Sequence, residues 1–370
     1  MSEKNDKWLL TNFPEIIFEN TSVGRLKKEV WDASEEEIDG ILKDYEIPSP
    51  SELGKAGCYI QNTPRVKVIE KRRKNDIVFV PVGCTENHGM HANSGLDTFN
   101  VTMILEGLRR YTAKQGRECA LAFPVLNYGG HPYHHLGMPG TVIMPEHVVT
   151  ETVIYTMLGL WNDGFRKIIL LNNHGQLWML EAAIQEFMKR FHLPGIFRVI
   201  DWHRAVREFF TPVDRKDSLT TPFVHADEAE TSVALLMFGD MIDMSAVQDS
   251  TPQPLLPDGH FDNSVDSLHR PNRWSEGQGH MAIERVATPQ GVVGKPSLGT
   301  AQKGKRPIAA ILKYLTLLND QILETFPAGT VPPVEKVTLR TEGEMKPYLK
   351  EPLSEGWKSV YELPARGVFR

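Results

Sequence analysis

Residues 77–82 read Ile77-Val78-Phe79-Val80-Pro81-Val82, and the chain continues Gly83-Cys84-Thr85-Glu86-Asn87-His88-Gly89-Met90-His91. The first six are apolar without alternation. Such a run suits a strand buried on both faces, as in a parallel sheet covered by helices. Working outward, similar runs stand at 120–126, 167–171 and 197–200, separated by helical patterns at 98–115, 145–163 and 177–191. This alternation predicts an α/β fold with a mostly parallel central sheet and helices on both faces, an α/β sandwich. Further helices are expected at 229–238 and 305–326.

Three regions are expected: an N-terminal extension over 1–75 packed on the core, a central domain over 76–326, and a surface-wrapping tail over 327–370. The extension carries a helical pattern at 34–45, a turn-prone Pro48-Ser49-Pro50-Ser51, and a basic run, Lys71 to Lys74, that reads as a solvated linker. The 370 residues, 41% hydrophobic and 24% charged, suit a folded globular protein that buries a core without staples. A net charge of -6 offers no basic surface for phosphates, which argues against nucleic acid. The longest apolar stretches fall well short of the roughly 20 residues of a membrane span. Residues 1–7 (MSEKNDK) lead into no apolar core of a secretory signal. Three cysteines, Cys58, Cys84 and Cys119, are a sparse, odd set, so a reducing cytoplasm is the expected compartment.

Ligands of an open parallel sheet gather at the carboxyl ends of its strands. Here those ends are rich in metal-ligand types. Glu86 and His88 are one residue apart, which in extended backbone turns both to one side. Asp97 opens the next helix, where the dipole favours a carboxylate. Asn172-Asn173-His174-Gly175-Gln176 forms the turn after the 167–171 strand, and His225-Ala226-Asp227-Glu228-Ala229-Glu230 begins an apolar helix. Carboxylates with imidazoles suit zinc, manganese or a similar divalent ion, and a pair of such ions requires a bridging carboxylate that keeps them about 3.5–4 Å apart. The loop from Tyr128 to Thr141, rich in Gly, Pro and His, offers His135 as a substrate contact. Gln176, Trp178, Trp202 and Asp227 are further candidates for substrate binding, against the alternatives that the tryptophans are core, Asp227 serves the helix dipole and Gln176 is structural. Cys84 reads as buried packing.

Residues 81–97, 135–141 (HLGMPGT), 164–175 (GFRKIILLNNHG), 225–232 and 291–304, in this order and spacing, resemble the creatininase (creatinine amidohydrolase) family. The resemblance spans roughly residues 76–326. It implies a compact α/β sandwich, usually a homo-hexamer, that holds two divalent ions and hydrolyses a small cyclic polar substrate. Carried over by motif, Glu86, His174 and Asp97 would hold one ion and His88, Glu230 and Asp97 the other, with His225 transferring a proton at the scissile group. Gln176 and Leu177 depart from the Gly-Gly-Asn continuation of most relatives, and Gln176 stands where creatininase has an acidic residue, which argues against creatinine itself. The long extension and the segment 252–290 are similar to a long-chain branch that opens a diketo-inositol ring by carbon–carbon hydrolysis in inositol catabolism, through attack of a metal-activated water on a carbonyl. The alternatives are a cyclic amide or formamide hydrolase, and a non-catalytic member that binds metal or a sugar-like ligand.

Overall fold

The computed structural model describes residues 7–122, 126–130, 137–250 and 291–364. At its centre lies a four-stranded sheet of β3 (Ile77–Val82), β4 (Ala120–Leu121), β5 (Lys167–Asn172) and β6 (Ile196–Asp201), after a separate hairpin of β1 (Trp8–Leu10) and β2 (Ile17–Glu19). The order in the sheet is β4-β3-β5-β6 and every pairing is parallel. Val82 of β3 lies opposite Asn172 of β5, which lies opposite Asp201 of β6, so three strands end level with one another.

All six residues of β3 and all six of β5 are buried. Their side chains alternate between two apolar layers, which is why neither strand alternates in polarity. Ile77, Phe79, Ile169 and Leu171 enter a core shared with α4 (Leu96–Lys114), α8 (Glu228–Phe238) and α9 (Ala301–Thr325). Val78, Val80, Val82, Ile168 and Leu170 enter the other, shared with α5 (Glu146–Asn162) and α6 (Leu177–Phe191). Burying each such side chain contributes about 1.5–3 kcal/mol.

Both ends of the chain join these layers. From the N-terminal region, α1 (Ser22–Asp32), α2 (Glu35–Asp44) and the β1–β2 hairpin add Phe18, Trp31, Ile38 and Tyr45 to the first core. Glu106 of α4 accepts from Ser51 Oγ at 3.0 Å, Glu52 N at 2.8 Å and the Tyr59 hydroxyl at 2.5 Å, so a buried carboxylate clasps the extension to the core. Past α9, α10 (Val334–Val337) and α11 (Glu342–Leu349) place Val334, Met345 and Tyr348 in the second core. The tail therefore contributes to the interior as well as covering it. No helix among the described residues is long and apolar enough to cross a membrane.

Three local expectations are corrected. The strand expected at 120–126 is regular only over Ala120–Leu121, with a further bridge between Val82 and Leu126; residues 123–125 lie outside the described residues. The basic run is not a solvated linker, since Lys71 and Arg72 end α3 (Arg65–Arg72) and the nearly buried Arg72 pairs with Glu351 at 2.5 Å. Trp178 is not core, being 47% exposed. The hairpin, α1 and α3 were not anticipated.

Candidate metal centre

The chain leaves β3 through a tightly packed turn. A Cβ on Gly83 would stand 2.6 Å from the backbone of Thr98, so only glycine lets the start of α4 abut the strand exit. Glu86 N donates to Ser94 O at 2.8 Å and Thr98 Oγ1 to Cys84 O at 3.3 Å, which fixes the loop against the helix. Asp97 follows in the first turn of α4.

The start of α8 is anchored as firmly. Asp227 Oδ1 accepts from Ala229 N at 2.8 Å and Glu230 N at 3.1 Å, capping the helix, while Oδ2 accepts from Val224 N at 2.5 Å. Glu228, with no exposed surface, accepts from the backbone and hydroxyl groups of Thr220 and Thr221 and pairs with Lys303 of α9. Glu228→Ala strands the Lys303 ammonium and several donors, so it is expected to cost about 3 kcal/mol of unfolding free energy; chemical denaturation with an unchanged midpoint would contradict this.

Five ligand-type side chains from these separate segments converge, all of them 5% exposed or less: Glu86, His88, Asp97, His174 and Glu230. Asp97 lies between two groups. Its Oδ2 is 3.1 Å from His174 Nδ1, which also contacts Glu86 Oε2. Its Oδ1 is 3.6 Å from His88 Nε2, which lies 3.7 Å from Glu230 Oε2. One carboxylate thus offers one oxygen to each group, the arrangement a bridging ligand requires.

The donor set fits cations on two grounds. His88 Nδ1 bonds the carbonyl of Glu86 at 3.0 Å, so that nitrogen carries the proton and Nε2 turns its lone pair toward Asp97 and Glu230. Ligands about 2.1 Å from a shared ion stand roughly 3.0–3.6 Å apart, close to the observed separations. Charge points the same way. The Glu230 carboxyl is raised well above its usual range, first by burial and then by Asp97, Asp227 and Glu86 around it. Burial likewise pushes Asp227 up to about 7, against the backbone donors that hold it. Burial opposes charge on His174, but Cys84, Glu86 and Asp97 outweigh it and lift its pKa well above normal. Carboxylates crowded in this way lack positive charge, which divalent ions would supply.

His225 sits at the edge of the cluster. Its Nε2 donates to Asn87 O at 2.7 Å, leaving Nδ1 3.2 Å from Glu86 Oε1 and 3.9 Å from Glu230 Oε2. Of the expected substrate contacts, Gln176, Trp202 and Asp227 have no exposed surface and lie behind the ligands. Gln176 donates to Gly83 O at 3.2 Å, and the Trp202 indole donates to Asn173. Trp178 is half-exposed at the start of α6, just past His174. His135 falls outside the described residues.

Two residues beside the cluster are not read as part of it in the sequence. Cys84 is fully buried, and its sulfur lies within 4.8 Å of ligand atoms of Glu86, Asp97 and His174. The signal was present, since residues 84, 86 and 88 alternate to one side of extended backbone. Asn173 donates from Nδ2 to Asp97 Oδ1 at 2.5 Å. Nothing in its spacing marked it, because the contact joins β5 to a helix 76 residues earlier.

Comparison with known proteins adds to this geometry. A family profile described as creatinine amidohydrolase matches residues 62–318. The chain is 41% identical over 305 residues to the 3-dehydro-scyllo-inosose hydrolase of Thermotoga maritima, covering 82% of this chain and 96% of that protein. It is 27% identical over 195 residues to the creatinine amidohydrolase of Pseudomonas putida, covering 49% and 72%. A crystal structure of creatinine amidohydrolase superposes with a TM-score of 0.55 at 19% identity, over 75% of this chain and 99% of that one.

Proposed function

The chain belongs to the creatininase family and is a metal-dependent hydrolase, and from that premise we propose that it opens 3-dehydro-scyllo-inosose, or a closely related cyclic diketone, by hydrolysing a carbon–carbon bond in inositol catabolism. The carrying observation is the 41% identity that extends over 96% of the inosose hydrolase, against 27% over 72% of the creatinine enzyme. The family core alone would be shared with both.

Divalent ions bound at the centre would polarise a ring carbonyl and lower the pKa of a water toward 7. Glu86, His174 and Asp97 would hold one, His88, Glu230 and Asp97 the other, each within the distances described above. The remaining work falls to protein groups. Water adds to one ketone, the bond to the neighbouring ring carbon breaks, and its electron pair passes to that carbon as an enolate of the second ketone. His225 Nδ1 faces the cluster and holds the proton that this carbon takes up, while the Asn87 carbonyl keeps Nε2 protonated and the ring oriented. The product is an open-chain keto acid, heavier than the substrate by one water.

The finer expectations belong to the same reading: two ions per chain, manganese or zinc, in a cytoplasmic homo-oligomer. The crowding of carboxylates around Glu230 supports the cations. The test is to incubate metal-loaded protein with 3-dehydro-scyllo-inosose in 18O-labelled water. A ring-opened acid carrying one label is expected, and chelation should abolish it. Turnover of creatinine or a cyclic formamide in preference to the diketone would replace this reading with amide hydrolysis.

A further inference from the structure

The polar groups behind the ligands are not equivalent in chemistry, and one chain of them leads to the single carboxylate that both halves of the centre share. Asn173 follows β5 directly, and its backbone N–H still bonds Val82 O of β3 at 3.2 Å, so its position is set by the sheet. Its side chain is 4% exposed. Nδ2 donates to Asp97 Oδ1 at 2.5 Å, and Oδ1 accepts from the Trp202 indole. An indole N–H can only donate, so it must meet the amide oxygen, and the amide's NH2 is forced toward Asp97. The orientation of Asn173 is therefore chemically determined.

Trp202 is itself immobilised. It begins the short helix α7 (Trp202–Ala205) at the end of β6, one strand over from β5, and has no exposed surface. Its ring lies 4.2 Å from that of His203 and meets Phe210 edge-on at 5.4 Å.

The geometry points to Asn173 as a positioning residue for Asp97, with Trp202 setting the direction of its amide. A carboxylate that serves two cations must present its two oxygens to two places at once, and rotation about its Cβ–Cγ bond would spoil both. The Asn173 donor fixes Oδ1 on the His88 and Glu230 side, which leaves Oδ2 facing His174. This inference rests on the two-ion reading above.

Removing an outer hydrogen bond of this kind lowers metal affinity about 10–100-fold. The test measures binding of Zn2+ or Mn2+ alone, by competition with a chromophoric chelator, to wild type, Asn173→Ala, Trp202→Phe and the double variant, together with kcat and KM. Asn173→Ala is expected to weaken metal binding about 10–100-fold. Trp202→Phe keeps an aromatic ring, though a smaller one, and removes the indole donor, so a smaller loss in the same direction is expected. The double variant should bind metal no worse than Asn173→Ala, because both changes break one chain. Once saturated with metal, the variants should lose kcat with little change in KM.

Wild-type metal affinity in Asn173→Ala, or losses that add in the double variant, would overturn the proposal. A purely structural role predicts lower thermal stability of the metal-free protein with metal affinity intact, which also overturns it. Should Asn173→Ala not fold, Trp202→Phe decides alone, and unchanged metal affinity there refutes the relay. Failure of the wild type to bind two ions would instead strike the reading of the centre itself, so the two failures are distinguishable.

Discussion

Asp97→Asn is expected to lose metal and turnover together. Among the described residues, Asp97 is the one side chain with an oxygen toward each ligand group, 3.1 Å from His174 and 3.6 Å from His88. An amide in its place presents a nitrogen to one of the two positions and removes a negative charge from both. Metal-assisted charge stabilisation is worth several kcal/mol, and each 1.36 kcal/mol is a factor of ten, so kcat/KM should fall roughly a thousand-fold or more. Metal content should fall with it. The metal-free protein should behave oppositely. Burial and the neighbouring carboxylates, Asp97 first among them, already oppose ionisation of Glu230, so neutralising Asp97 relieves repulsion that no cation offsets. Metal-free Asp97→Asn should therefore melt no lower than metal-free wild type, while added metal raises the melting temperature of wild type alone. A variant with normal metal content and normal turnover would remove Asp97 from the centre.

How far these groups could be read from the sequence depended on what held them in place. β3 and β5 were legible because burial on both faces leaves an unbroken apolar run, and Glu86, His88 and His174 were legible because they follow such runs directly. The hairpin was not, since Trp8, Leu10 and Ile17 expose 45–65% of their surface and imitate no buried pattern. α3 hid within its charges: the run Lys71 to Lys74 reads as a solvated linker until Arg72 meets Glu351, 279 residues onward. The residues behind the ligands follow the same rule. Trp202 looked like a wall of a pocket because a tryptophan at a strand end can serve either purpose, and only its neighbour Asn173 decides that its indole points inward. Gln176 replaces an expected family residue, and its NH2 donates to Gly83 O, within the turn that packs against α4, and to Asn172 Oδ1. Local pattern therefore places the ligand-type side chains, whereas long-range hydrogen bonds set their orientation.

His225 offers the sharpest separation of holding a metal from moving a proton. Its nitrogen atoms are committed differently: Nε2 donates to the Asn87 carbonyl, and Nδ1 faces Glu86 and Glu230. Glu86, His88 and His225 each offer a ligand atom within 4.8 Å of the others, so the histidine is also placed to complete a coordination shell. The two roles predict different losses. If His225 carries the proton for the departing carbon, His225→Gln should retain its metal and lose about 10²–10⁴ in kcat with little change in KM. The limb of the pH–rate profile that reports this proton should flatten, because the group that titrates has gone. If His225 instead binds an ion, metal content should drop, and excess metal should restore a large part of the rate. The hydrogen bond to Asn87 is compatible with both, since it fixes only which nitrogen faces the cluster. What favours the proton is the surplus of other donors: Asp97, His88, Glu230, His174 and Glu86 already provide three contacts to each position when Asp97 is shared. An ion held by three such contacts would keep room for water and a substrate carbonyl, which is what a hydrolytic centre needs and a structural one excludes. His225→Gln with full metal content and an unchanged kcat would remove the histidine from the reaction altogether.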